Sequence, residues 1–158
     1  MLDAIERLGE RPSVILETGS SAWGTNSSRL FADYVVTFGG EFTTVDIRIA
    51  PLLRLWRDLG PRSVIVCDDS VRFLRRWVDE NPGRKADLVY LDSYDLDVNS
   101  PTPAAVHALL ELDAIRPALR AGSLLLIDDT PDSVDFLPEP ARTDAQRFKE
   151  SNGLRSRP

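Results

Sequence analysis

The sequence has little with which to build a thiol or imidazole site: one cysteine and one histidine among 158 residues. The lone thiol, Cys67, excludes an internal disulfide and suits a reducing compartment, so a cytoplasmic setting is expected. By its neighbours, Cys67 reads as a small buried apolar residue at a strand end. The lack of a Cys/His cluster argues against structural zinc. Basic charge is short as well. Against 19 Lys and Arg stand 25 Asp and Glu, a net −6, which argues against nucleic acid as a partner because phosphates need a basic surface. No apolar run approaches the roughly 20 residues that span a bilayer. The opening MLDAIERLGERP has no apolar core of a signal peptide, so no membrane association is expected. Internal repeats and low-complexity segments are absent, as are the GxGxxG fingerprint of dinucleotide sites and a Tyr-x-x-x-Lys pair.

What is present is an alternation. SVILET (Ser13–Thr18), FTTVDI (Phe42–Ile47), SVIVCDD (Ser63–Asp69), ADLVYLD (Ala86–Asp92) and SLLLIDD (Ser123–Asp129) are short runs rich in Val, Ile and Leu. Turn residues precede most of them, and their apolarity is continuous rather than alternating, as in strands covered on both faces. Between them the spacing predicts helices over Asn26–Phe38, Pro51–Leu59, Ser70–Asp79 and Pro103–Leu119. Their large apolar residues, including Trp56, Trp77, Val106, Leu109 and Leu110, are expected in the core. The order βαβαβαβαβ predicts an α/β fold with a doubly wound, mostly parallel sheet. One domain is expected over 1–158, with its core at 12–131 and a proline-rich tail at 132–158. One further helix is expected in that tail, over Thr143–Glu150.

In such a sheet, ligands bind beyond the carboxyl ends of the strands. There the sequence places Glu17, Asp46, the pair Asp68–Asp69, Asp92 with Asp95 and Asp97 behind it, and the pair Asp128–Asp129. Adjacent carboxylates after an apolar run need a turn or a cation to satisfy them. The loop after the first strand carries Gly19 and Gly24 around Ser20–Trp23 and leads into a helix, an arrangement that offers backbone N–H groups to a ligand. Asp46 lies where an acid can accept both hydroxyls of a ribose; its plainer reading is a turn or capping acid. His107, near the start of the fourth helix, reads either as a core-edge residue or as a base at the active edge.

In order, VILETGSSAWGTNSSRLF, FTTVDI, CDDSVRFL, DLVYLDSYD and GSLLLIDDT resemble the motifs of class I S-adenosylmethionine-dependent methyltransferases. They are most similar to small-molecule O-methyltransferases with an acidic metal site, of the macrocin type and more distantly the catechol type. The resemblance covers Ser13 to Pro131. It implies a Rossmann-like methyltransferase fold in which Glu17, Gly19, Ser20 and Gly24 hold the methionine moiety and Asp46 the ribose. Asp69 and Ser70 would lie against the adenine, and Asp92, Asp128 and Asp129 would ligate Mg²⁺ or a similar cation. The partner implied is a small-molecule hydroxyl, made acidic by the metal so that its oxygen attacks the activated methyl group. Two departures stand out. Catechol-type enzymes carry a lysine three residues after the first acid, where this chain has Asp95, so the base is Asp92 or Asp95, a metal-bound hydroxide, or absent, with His107 as the further candidate. The C-terminal β-hairpin of the family is also not apparent after Ile127. The last strand is therefore expected to be an exposed sheet edge, open to homo-oligomer formation, in a fragment or shortened member.

The alternative is a non-catalytic or truncated nucleotide-cofactor-binding Rossmann-like domain. A nicotinamide-dependent oxidoreductase is disfavoured by the two missing motifs. A phosphoacceptor receiver is disfavoured because the acid pair follows the fifth strand rather than the first.

Overall fold

Five short strands rich in Val, Ile and Leu pair in parallel in the computed structural model, which describes residues 1–20, 26–97, 99–128 and 137–151. They are β1 (Ser13–Thr18), β2 (Gly40–Asp46), β3 (Ser63–Cys67), β4 (Leu88–Leu91) and β5 (Leu124–Ile127). Six helices accompany them: α1 (Leu2–Leu8), α2 (Ser27–Phe38), α3 (Ile49–Leu55), α4 (Ser70–Glu80), α5 (Thr102–Ile115) and α6 (Ala141–Ser151). The strand order is β3-β2-β1-β4-β5. Succession runs outward from β1 through β2 to β3, then returns to the other side of β1 for β4 and β5. The crevice between β1 and β4 is therefore the topological switch point, where such sheets bind ligands.

The two-residue period of the strands divides the core. Ile15, Phe42, Leu88 and Tyr90 meet α1 and α2 through Ala4, Leu8, Phe31 and Val35. Leu16, Val45, Val89 and Leu91 face the other way, against Leu74 and Trp77 of α4 and Ala114 and Ile115 of α5. Central strands β1 and β4 are almost wholly buried, as their continuous apolarity predicts.

The outer elements depart from expectation. Cys67 is exposed rather than buried, because β3 is an edge strand with β2 as its one neighbour. Trp56 is 72% exposed rather than in the core. Helix α3 buries Leu52 and Leu55 over β2 and β3 at the edge of the sheet, and its Ile49 and Leu53 are exposed. Trp77 is buried as expected. On α5, Val106, Leu109 and Leu110 face outward, and Glu111, 2% exposed, takes the inward position. Helix α1 was not foreseen, although Leu2, Ile5 and Leu8 recur at helical spacing before Gly9, which ends the helix at φ 67°. β5 pairs with β4 on one side and with no other strand among the described residues.

Candidate active site

The carboxyl ends of the strands are level because the ladder continues one residue past each pair. Asp92 N–H donates to Thr18 O at 2.9 Å, Asp128 N–H to Leu91 O at 2.9 Å, and Gly19 N–H to Val45 O at 2.8 Å. Glu17, Asp46, Asp92 and Asp128 therefore reach the same edge.

Glu17 is fully buried opposite Tyr90 in the ladder. Its Oε2 accepts hydrogen bonds from Ser28 at the start of α2 and from Thr44 at 2.6 Å. Among the described residues its Oε1 is buried with no hydrogen bond of good geometry, although the nearby Ser27 hydroxyl also draws on the carboxyl. Burial pushes the carboxyl pKa up to about 7 against the pull of those hydroxyls. Thr44 passes the connection on to Ser20, whose hydroxyl lies 2.8 Å away. Gly19 has φ 82°, and its backbone runs against the end of β4. Gly24 and the rest of 21–25 lie outside the described residues.

Asp46 is buried at the end of β2. Ser20 N–H donates to its Oδ2 at 3.1 Å, and Arg48 contacts both oxygens through its backbone N–H, Nε and Nη2. Burial opposes ionisation, yet the Arg48 and Ser20 hydrogen bonds hold the Asp46 pKa below the usual carboxylate value. Asp68 is clamped by Arg72 and Arg76, and the Arg72 hydrogen bond above all holds its pKa down to about 2. Asp69 caps α4, accepting from Arg72 N–H at 2.9 Å. For the Asp68–Asp69 pair, then, a turn and its arginines supply the neutralising partners.

The pair β4–β5 is different. Tyr90 donates its hydroxyl to Asp128, and burial, that hydrogen bond and the charges of Asp92 and Asp128 all raise the Tyr90 pKa. Asp92 and Asp128 thus approach one buried phenol from adjacent strands. Both line a cavity of about 290 Å³ together with Ser93, Tyr94, His107 and Glu111. Asp129, the third expected ligand, lies outside the described residues. Among the described residues, no three His, Cys, Asp or Glu side chains converge as a metal set.

Of the expected bases, Asp92 and His107 line this cavity, whereas Asp95 is exposed and lies within electrostatic reach of Arg48. Ser70 sits between the two regions. Its hydroxyl lies 3.0 Å from His107 Nε2 and donates to Ser93 Oγ at 3.3 Å. Sequence reasoning did not pick out Tyr90, Ser93, Arg48 or Glu111. The last had a signal: Glu111 stands four residues after the only histidine, on the same helical face.

No protein-family model and no curated protein matches the chain. Solved structures do. The MycE methyltransferase of mycinamycin biosynthesis, solved with Mg and SAH, superposes with a TM-score of 0.64 at 21% identity, over 96% of this chain and 37% of its own. CalS11, a TDP-rhamnose 3′-O-methyltransferase of calicheamicin biosynthesis, superposes in its apo form with a TM-score of 0.59 at 24% identity, over 97% of this chain and 70% of its own. A second CalS11 structure gives 0.59 at 22%. The chain thus spans just over a third of the length of the first and about 70% of the second. The fold is the Rossmann-like methyltransferase fold.

Proposed function

We propose that this chain is the cofactor-binding and catalytic part of an S-adenosylmethionine-dependent O-methyltransferase that acts on a hydroxyl of a small molecule with help from a divalent cation. One observation carries the reading. At the switch point of a methyltransferase-type sheet, a buried carboxylate oxygen with no hydrogen bond of good geometry among the described residues, Glu17 Oε1, lies close to Gly19 at positive φ. That glycine abuts the strand whose end lines a cavity with Asp92, Asp128 and His107.

The residues fit the cofactor. Glu17 Oε1 is an orphaned acceptor suited to the ammonium of the methionine moiety, and an ammonium there favours the charged carboxylate. Asp46 would accept the ribose hydroxyls once the Arg48 side chain, which now bonds both its oxygens, releases them. Ser20 keeps the loop tied to β2. When bound, S-adenosylmethionine supplies a methyl carbon activated by its sulfonium.

The two described acids also fit a hard cation, since the carboxylates of Asp92 and Asp128, beside the Tyr90 phenol and with no cysteine near, are the oxygen donors that suit Mg²⁺. Asp92 and Asp128 would hold it, and the ion would lower the pKa of an acceptor hydroxyl. The remaining work of the chain is positioning and exclusion of water. Leu91, Ile127 and the alanines of α5 make the rest of the cavity wall apolar. The MycE complex with Mg and SAH and the TDP-rhamnose specificity of CalS11 support a sugar-like or other polyhydroxylated acceptor.

Calorimetric titration with S-adenosylmethionine and S-adenosylhomocysteine, with and without Mg²⁺, tests the proposal. Binding of both nucleosides is expected, with an additional Mg²⁺-dependent heat that disappears in Asp128→Asn. Absence of nucleoside binding to the folded chain overturns it. That β5 has one strand neighbour among the described residues favours a second reading, a non-catalytic domain that binds the same nucleoside; binding without turnover under any acceptor set would select it.

A further inference from the structure

Glu111 is 2% exposed on a helix whose neighbouring positions are mostly apolar, and it accepts a hydrogen bond from a serine on another segment. A buried carboxylate in such a place anchors whatever polar chain reaches it. Ser93 Oγ donates its proton to Glu111 Oε1 at 2.7 Å. Having one proton and having given it away, Ser93 meets Ser70 as an acceptor, and Ser70 Oγ donates to it at 3.3 Å. Ser70 in turn has no proton left for His107, 3.0 Å away, and presents a lone pair to Nε2. The ring nitrogen must therefore carry the hydrogen. The direction of the chain assigns the tautomer: Nε2 protonated, Nδ1 bare and basic.

We propose that Glu111, Ser93 and Ser70 are positioning residues that hold His107 in its Nε2–H tautomer, so that His107 Nδ1 is the base that takes the acceptor's proton. The second half rests on the methyltransferase reading; the first is a property of the chain alone. His107 lines the cavity beside Asp92 and Asp128, its ring 5.3 Å from that of Tyr94. Asp95 does not line that cavity. In the step, the acceptor hydroxyl loses its proton to Nδ1, and its oxygen forms the bond to the methyl carbon with its own electron pair. The pair of the broken C–S bond stays on sulfur, leaving a neutral thioether. The imidazolium so formed lies with Nε2 3.6 Å from Glu111 Oε1, whose negative charge steadies it until the proton leaves to water.

Because the chain has one histidine, its ring gives the only imidazole signals in an ¹⁵N spectrum of the ¹⁵N-histidine-labelled protein. At alkaline pH the parent should show a proton-bearing Nε2 and a bare Nδ1. Ser93→Ala frees the Ser70 proton to turn toward Nε2, so the two shifts should move toward each other or exchange. Ser93→Thr keeps a hydroxyl and should restore the parental pattern. A parent with hydrogen on Nδ1, or a Ser93→Ala spectrum identical to the parent, overturns the tautomer assignment. In turnover assays His107→Ala should lose about a hundredfold or more, with the calorimetric affinity for S-adenosylhomocysteine unchanged. Turnover of that variant at the parental rate overturns the base. If the parent binds no nucleoside, the function fails and the base with it, while the tautomer is still decided by the spectrum.

Discussion

Gly19 lies directly against the carbonyl of Asp92: a Cβ built on Gly19 would stand 1.9 Å from that oxygen and 2.5 Å from its carbon. Two backbones meet there without room for a methyl group. The loop that faces the proposed cofactor is thereby fastened to the strand end that faces the acceptor cavity. The glycine also has φ 82°, a conformation that L side chains rarely adopt.

Gly19→Ala should therefore combine left-handed strain with a backbone clash, at a cost of at least about 2 kcal/mol. Urea unfolding should show a lower midpoint, and titration should show nucleoside binding weakened beyond what the lost stability explains. Parental stability and binding would show that the loop and β4 can separate freely.

Glu17 predicts how stability changes with pH. Its folded pKa is pushed up to about 7 from an ordinary 4.5, so between these values the folded chain keeps a proton that the unfolded chain has lost. Stability should be highest below pH 4.5 as far as this group is concerned and should fall as pH rises to 7, by about 3 kcal/mol in all. Glu17→Gln should flatten that part of the profile and raise stability at pH 8 while weakening cofactor binding. Parental affinity should rise through pH 7, since an ammonium ligand needs the ionised carboxylate. Superimposable stability profiles for the two proteins would refute the assignment.

At the next strand end, Asp46 and Arg48 make opposite predictions. Asp46→Ala removes the proposed ribose acceptor and should weaken nucleoside binding by about 1–3 kcal/mol. Arg48→Ala releases Oδ1 and Oδ2 from the guanidinium hydrogen bonds and should strengthen it a few-fold. Weakening by both substitutions would instead place Arg48 itself on the ligand.

The position of β5, with β4 as its one strand neighbour among the described residues, predicts association. Leu124 to Ile127 are half-buried, and three of them border a groove shared with Met1, Asp3, Ala4 and Arg7 of the N-terminal segment. Among the described residues, Leu124, Leu125 and Leu126 have a strand partner on one side only, and such an edge favours pairing with another chain. Sedimentation velocity over a hundredfold range of concentration should show reversible self-association. A strictly monomeric chain throughout that range would argue against it.

How much was legible differs between the middle of the sheet and its rim. The five strands, their parallel pairing and four crossover helices follow from VILET, VYL and LLLI with the turn residues before them, because a strand covered on both faces has no polar side to place. The span Ser13–Thr18 matches the observed β1 residue for residue. At the rim the same apolar residues mislead. Trp56, Val106, Leu109 and Leu110 read as core, yet whether a helix stripe is buried depends on what lies beneath it, and beside β3 and along α5 the sheet runs out.

The site divides in the same way. The sequence by itself determined that carboxylates would stand at the strand ends, since strand length and polarity place Glu17, Asp46, Asp92 and Asp128 there. It also determined that a glycine would follow β1. Only the tertiary structure decided what each carboxylate meets. Asp46 is paired with Arg48, Asp68 with two arginines and Asp128 with Tyr90, while Glu17 Oε1 has no hydrogen bond of good geometry among the described residues. Only the tertiary structure, too, linked Glu111 to Ser93, Ser70 and His107, residues drawn from three segments. The reason is physical. Which edge a side chain reaches depends on local periodicity, which the chain carries in its own order. Its protonation, by contrast, depends on partners a few ångströms away in space, and packing alone brings those together.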